Sequence, residues 1–271
     1  MAKFTSLKNA ISDGVHDGQS VSLEGFTHLI PFAAGHEIIR QQRRQLTLIR
    51  MTPDLIYDQL VGAGCVSKLV FSWGGNPGVG SLHRVRDAIE NAYPEALEIE
   101  EHSHAAMANA YEAGAAGLPM ALFRGYVGSD LQKVNPNIAT VTCPFSGEAL
   151  AAVPAIKPDV GIIHAQKADK AGNVLLEGIV GVQKEVVLSS HHSIVTVEEI
   201  VDDLNASTNS CIIPGWAIDA ICHVPLGAKP SYAQGYYPRD NSYYKKWDAI
   251  SRQRDSFASW LDSDVFMQGA C

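Results

Sequence analysis

From Ser6 to Ala113 short apolar runs alternate with helix-spaced runs, and this pattern limits the possible folds more than any other feature of the chain. Leu7, Ala10, Ile11 and Val15 recur at helical spacing behind a capping Ser6, and Asp17-Gly18 turns the chain into a short buried strand around Val21 and Leu23. A helix over Ala33–Arg43 follows, then a strand over Leu46–Met51 and a helix that Pro53-Asp54 opens and Gly62 to Gly64 stop. Lys68–Trp73 reads as a strand, Leu82–Tyr93 as a helix, Leu97–Glu101 as a strand and His104–Ala113 as a helix. Such alternation implies βαβ units, hence an α/β fold with a mostly parallel sheet flanked by helices.

The second half is less regular. Met120–Tyr126 and Ile138–Cys143 are extended and predicted to leave the main sheet, and Val160–Gln166 is an uninterrupted apolar run of the kind found in central strands. Asp169 to Asn173 turns into Val174–Glu177, a helix spans Val182–Ser189, and Ser193–Val197 is a strand. Beyond Asp202 the pattern breaks up until a last helix over Tyr243–Leu261, with Trp247, Ile250, Phe257 and Trp260 available for packing. The expectation is one domain over residues 1–271, with 205–271 an irregular and helical extension packed on it.

Composition removes several function classes. The 46% hydrophobic content supports a substantial core, and a net charge of −8 with scattered Lys and Arg argues against a nucleic-acid partner. No stretch reaches the roughly 18 uncharged apolar residues of a membrane span, and the amino terminus lacks a signal peptide's apolar core, so a cytoplasmic location is expected. Five cysteines (Cys65, Cys143, Cys211, Cys222, Cys271), none in a C-x-x-C pair, read as free thiols.

Three places offer chemistry. After the strand ending at Glu24, Gly25, Phe26, Thr27 and His28 supply a backbone cradle, an aromatic wall, a hydroxyl and an imidazole; the alternative is an ordinary strand-to-helix turn with a structural glycine. The loop Gly74 to Gly80 matches neither the dinucleotide G-x-G-x-x-G spacing nor G-x-x-x-x-G-K-[ST], which leaves a ligand-approaching loop with Asn76 as its polar reader, or a tight turn. Ser103 and His104 stand at a strand-to-helix switch, where an imidazole donates to an oxyanion, moves a proton, or merely caps the helix. His102 and His104 beside Glu100 and Glu101 lack a third ligand at a recognised spacing, so no metal is expected. His164 reads as a hydrogen-bonded core residue, His191-His192 as a surface turn, and the tyrosines from Tyr232 to Tyr244 as a subunit-contact surface. No G-x-S-x-G elbow or ordered Ser, His and Asp set is present.

From Asp17-Gly18 to Pro31 the chain resembles the α-subunit signature of the family I coenzyme A transferases: an aspartate-glycine turn, three apolar residues and Gly-Gly-Phe, ending at a proline. Here Glu24 stands for the first glycine of Gly-Gly-Phe, Ser22 interrupts the apolar triplet, and the gap from Phe26 to Pro31 is a residue shorter. Phe71 to Asn76, Glu101 to Pro119, Ala151 to Pro154, Ile162 to Gln166, Val195 to Ile200 and Ile213 to Ala220 continue the match in order. The pattern is similar to the glutaconate CoA-transferase α-subunit branch, and EGFTHLIP, RMTPDLIYD and SWGGNPGVGSLHR to its 3-oxoadipate type.

The resemblance implies a fold shared by CoA-transferases and certain sugar-phosphate isomerases, a CoA thioester as substrate with no tightly bound cofactor, and a β-subunit partner in an α2β2 assembly. It also implies a nucleophilic glutamate on that partner, since no counterpart is found here. His104 falls where relatives carry a glutamine that holds the thioester oxygen, which marks it as oxyanion donor and leaves CoA-ester hydrolysis as an alternative. Gly25, Phe26, Thr27, Ser103 and Asn76 are expected around the acyl group. Arg50, at a strand end, is expected either to read the acceptor's far carboxylate or to form a surface ion pair. A glutaconate or other dicarboxylate acceptor, and a sugar-phosphate isomerase active without a partner, are the competing readings.

Overall fold

In the computed structural model, which describes residues 2–126 and 128–267, the alternation closes into a ten-stranded sheet. Its first half runs β1 (Lys3–Phe4), α1 (Leu7–Gly14), β2 (Ser20–Glu24), α2 (Phe32–Arg40), β3 (Leu46–Arg50), α3 (Leu55–Gly62), β4 (Val66–Phe71), α4 (His83–Asn91), β5 (Glu98–Glu101) and α5 (His104–Ala115). The second half runs β6 (Met120–Phe123), α6 (Leu131–Val134), β7 (Ala139–Thr142), β8 (Ala149–Pro154), β9 (Val160–Asp169), β10 (Val174–Leu176), α7 (Gln183–Ser189), β11 (His192–Val201), β12 (Cys211–Ile213), β13 (Ala220–His223), α8 (Asn241–Arg252) and α9 (Arg254–Trp260).

The main path is β1-β13-β11-β9-β2-β3-β4-β5, and every neighbouring pair along it is parallel. Sequence order runs outward from the β2·β9 junction through β3, β4 and β5 on one side and β11 and β13 on the other, with β1 added at the far edge, which makes that junction a topological switch point; ligands of open α/β sheets bind beyond the carboxyl ends of such strands. Adjacent residues of the central strands enter separate cores: Leu48, Ile162 and Ile194 join one cluster, and Ile49, Ile163 and Val195 the other. This is the period-2 consequence of a strand covered on both faces, and it explains why VGIIHA shows no polar alternation.

Met120–Phe123 and Ala139–Thr142 leave the main sheet as expected, each pairing antiparallel with β8 in a small three-stranded sheet. The last helix is two helices. Gln253 is extended (φ −113°, ψ 130°) between α8 and α9, and the break lets Trp247, Phe257 and Trp260 converge, with the Trp247 and Trp260 rings edge to face at 4.7 Å. Residues 211–223 are not part of an extension: β12 pairs with β10, and β13 lies between β11 and β1. Cys65, Cys143, Cys211 and Cys222 are free; Cys271 lies outside the described residues. No helix among the described residues is long and apolar enough to cross a membrane.

Candidate active site

Beside the switch point β2 and β3 part. β2 and β3 pair only from Ser20 to Ser22, and beyond that Tyr57 on α3 inserts its hydroxyl between them, accepting from Leu23 N (3.1 Å) and donating to Ile49 O (2.9 Å). From the opposite face Tyr111 on α5 meets Ser22 Oγ at 2.8 Å, which satisfies the polar residue that interrupts the apolar triplet. Glu24 then bridges the two strand ends: its Oε1 accepts from Met51 N (3.0 Å) and its Oε2 from Gly25 N (3.3 Å). Burial pushes this carboxyl group up to about 7, against the pull of Arg50 and of the two backbone donors.

The loop after β2 is tightly wound. A Cβ at Gly25 would lie 2.6 Å from Leu29 O, so no other residue fits without displacing backbone. Thr27 (φ 56°) and Leu29 (φ 53°) both occupy the left-handed region, an unusual pair of conformations for non-glycine residues. The turn is held from the carboxyl-terminal part of the chain: Leu29 N donates to Tyr232 O (2.9 Å), Ser231 Oγ to Thr27 O (3.1 Å), and Gln234 N to His28 Nε2 (2.9 Å). Because His28 Nε2 accepts, its Nδ1 carries the hydrogen and donates to Ile179 O at 3.1 Å. His28 is therefore a clamp on the loop, kept neutral by burial, which lowers its pKa.

Beyond these strand ends lies a hollow of about 210 Å³. Phe26 and Thr27 enter it after β2; Arg50, Thr52 and Asp54 at and after β3; Trp73 and Pro77 after β4; and His104 after β5. Phe26 (37%) and Trp73 (47%) leave large parts of their rings open to solvent at its rim.

Of the residues expected at the site, Phe26, Thr27, Arg50 and His104 meet in the hollow, while Gly25 shapes the loop beneath it. Arg50 is neither a surface ion pair nor an open carboxylate reader. It is fully buried, its Nη1 and Nη2 reach Asp54 at 3.0 and 3.3 Å, and Nη2 also donates to Gly25 O at 2.6 Å. Its Nε, 3.9 Å from Glu24 Oε2, has no hydrogen-bond partner among the described residues. Burial works against the Arg50 charge, but Asp54 and Glu24 more than offset it and raise its pKa.

Asn76 does not face the hollow. Its amide donates to Tyr244 O at 2.8 Å and ties the glycine loop to α8, and its place in the lining is taken by Trp73 and Pro77. Ser103 caps α5, its hydroxyl accepting from Ala106 N (3.1 Å) while its own N–H donates to the Tyr126 hydroxyl. His104, exposed as the first residue of α5, meets Ser72 Oγ through Nδ1 at 3.2 Å. His102 turns away, bonded to Glu100 (2.8 Å) in a separate hollow behind α5, so the two imidazoles share no ligand position. His164 is fully buried as expected, bonded to Thr196 (2.8 Å) and Glu198 (2.7 Å).

Sequence reasoning passed over Ser72, Thr52, Asp54 and Trp73. All lie within a few residues of a predicted strand's end, and inspecting those positions on each parallel strand would have found them.

The arrangement offers one imidazole, hydroxyls and an aromatic rim around an open hollow, beneath which a guanidinium is held between two carboxyl groups. It suits binding a carbonyl group and stabilising charge on its oxygen.

A sequence model of the family described as Coenzyme A transferase matches residues 4–223. The chain is 64% identical to the A subunit of the 3-oxoadipate CoA-transferase of Pseudomonas knackmussii, over 98% of this chain and 94% of that one. It is 32% identical to the A subunit of the glutaconate CoA-transferase of Acidaminococcus fermentans, over 98% of this chain and 88% of that one. The crystal structure of glutaconate coenzyme A-transferase from the same organism superposes with a TM-score of 0.91 at 31% identity, covering 98% of this chain and 89% of that one. The structure of a cysteine-to-serine variant of the decarboxylase AibA/AibB superposes with a TM-score of 0.82 at 29% identity, covering 96% and 98%. With its sheet order, its site and these likenesses in agreement, the chain belongs to the coenzyme A transferase family.

Proposed function

We propose that the chain is the first of two kinds of subunit in a heteromeric transferase that moves CoA from succinyl-CoA to 3-oxoadipate, with the nucleophilic glutamate on a B subunit. The 64% identity to the corresponding chain of a 3-oxoadipate CoA-transferase, sustained over 98% of the sequence, carries this reading. That relative's name also supports a B partner; two copies of each chain form the assembly. Free thiols suit a reducing cytoplasm.

The partner's glutamate attacks the thioester carbonyl, expels CoA thiolate and becomes a mixed acyl anhydride. The thiolate then attacks the glutamyl carbonyl, releasing succinate and leaving a glutamyl-CoA thioester. The acceptor carboxylate attacks in turn, and the same two steps run backwards. Each addition places negative charge on a carbonyl oxygen. His104 donates to that oxygen; Phe26 and Thr27 hold the acyl chain, and Gly25 permits the loop to approach it. Arg50, already bonded to Asp54 and Gly25, holds the loop at the floor and has no free fork for the acceptor's carboxylate.

Chain and B subunit together form 3-oxoadipyl-CoA from succinyl-CoA and 3-oxoadipate, whereas the chain alone forms none. Loss of one oxyanion donor lowers kcat by roughly 10²–10³, the expected effect of His104→Ala. Product formation by the chain alone overturns the assignment, and a fully active His104→Ala enzyme overturns the role of His104 as oxyanion donor. A second reading, CoA-ester hydrolysis, is favoured by the imidazole at 104; it yields free acid and CoA with no acceptor present.

A further inference from the structure

Ser72 Oγ lies 2.6 Å from Met51 O and 3.2 Å from His104 Nδ1. A carbonyl oxygen cannot donate, so the single hydroxyl hydrogen of Ser72 is spent on Met51, and towards His104 the serine offers only a lone pair. His104 Nδ1 must then carry a hydrogen. In the neutral ring this leaves Nε2 bare, an acceptor where an oxyanion needs a donor.

We propose that Ser72 is a positioning residue that fixes the tautomer of His104, so that His104 donates to the developing oxyanion only as imidazolium. The catalytic part of this inference rests on the transferase reading above; the tautomer does not. In the neutral ring the same Nε2 is a base.

Among the described residues Ser72 Oγ is the one hydrogen-bond partner of His104 Nδ1, although the Thr27 and Thr52 hydroxyls line the same hollow. Across the hollow Arg50 and Asp54 are paired with each other, and Glu24 is bonded to Met51 N and Gly25 N. On the strand leading into α5, Glu101 is exposed and His102 is bonded to Glu100. The Tyr126 hydroxyl accepts from Ser103 N. Met51 O also accepts from Ser72 N (3.3 Å) and Trp73 N (3.2 Å), so removing the serine hydroxyl leaves that carbonyl satisfied.

Two measurements test the proposal. Long-range ¹H–¹⁵N spectra of the isolated chain, assigned with His104→Gln, report the tautomer directly: in the neutral ring Nδ1 is protonated and Nε2 is not, and Ser72→Ala transfers population to the Nε2–H form. In the complex with the B subunit, kcat/KM falls about tenfold per pH unit on an alkaline limb as the ring loses its charge. His104→Gln, whose amide donates at every pH, removes that limb, and Ser72→Ala flattens it because the neutral ring can then donate through Nε2. A neutral His104 protonated at Nε2 in the wild-type chain, or an alkaline limb unchanged in His104→Gln, overturns the proposal. A complex that transfers no CoA refutes the transferase reading, while the spectra still decide the tautomer.

Discussion

Glu24 shows how one side chain couples site geometry to pH. Folded, its carboxyl group titrates at about 7 because burial penalises the charge; unfolded, it titrates near 4.5. The folded state therefore binds the proton more tightly, and the stabilisation present below pH 4.5 is lost as pH rises through about 7. At about 1.4 kcal/mol per pH unit, linkage predicts that the unfolding free energy of wild type relative to Glu24→Gln falls by about 2.5 kcal/mol between pH 5 and pH 8, read from urea unfolding. Parallel pH dependences in the two proteins would mean that Glu24 does not hold a proton in the folded state.

At the scale of elements, α3, α4 and α8 are joined through one buried carboxylate. Asp58 on α3 accepts from Arg84 N (2.8 Å) and Val85 N (2.9 Å), capping α4 from a neighbouring helix, and its other oxygen accepts from Trp247 Nε1 at 3.0 Å. Burial raises this group to about 6 in spite of the three donors. Trp247→Ala removes a fully buried ring and should cost about 3–5 kcal/mol, whereas Trp247→Phe keeps most of the packing and costs about 1–3 kcal/mol for the lost donor. Urea denaturation at pH 7.5 separates the two; equal losses would place the whole effect in the hydrogen bond.

For the whole molecule, the order of strands decides where the site lies. Four successive strand ends, β2 to β5, open on the same hollow because all four run parallel on one side of the switch point. The hollow stays accessible, with aromatic rings at its rim, as expected for one wall of a cleft. A B subunit that binds the folded chain alone raises its unfolding midpoint, and the midpoint climbs further with partner concentration by mass action. A midpoint indifferent to the partner, measured by scanning fluorimetry, counts against the cleft being shared.

Apart from β1, whose partner β13 lies far along the chain, helix and strand positions in the first half were legible in the sequence, because each depends on short-range causes: the spacing of apolar residues, a cap at Ser6, stops at Gly62 and Gly64. The break at Gln253 and the strands β8, β12 and β13 were not, since short or broken segments acquire their geometry from partners distant in the chain. The site divides the same way. Gly25, Phe26, Thr27 and His104 could be named from the local sequence and from family resemblance, because a glycine after a strand and a polar residue at a helix start have meaning within a few residues. Only the tertiary structure could show that Arg50 is engaged by Asp54 and Gly25, that Asn76 is turned to Tyr244, and that Ser72 meets His104. Those facts are hydrogen bonds between residues from different elements, and a hydrogen spent on one acceptor is unavailable to another.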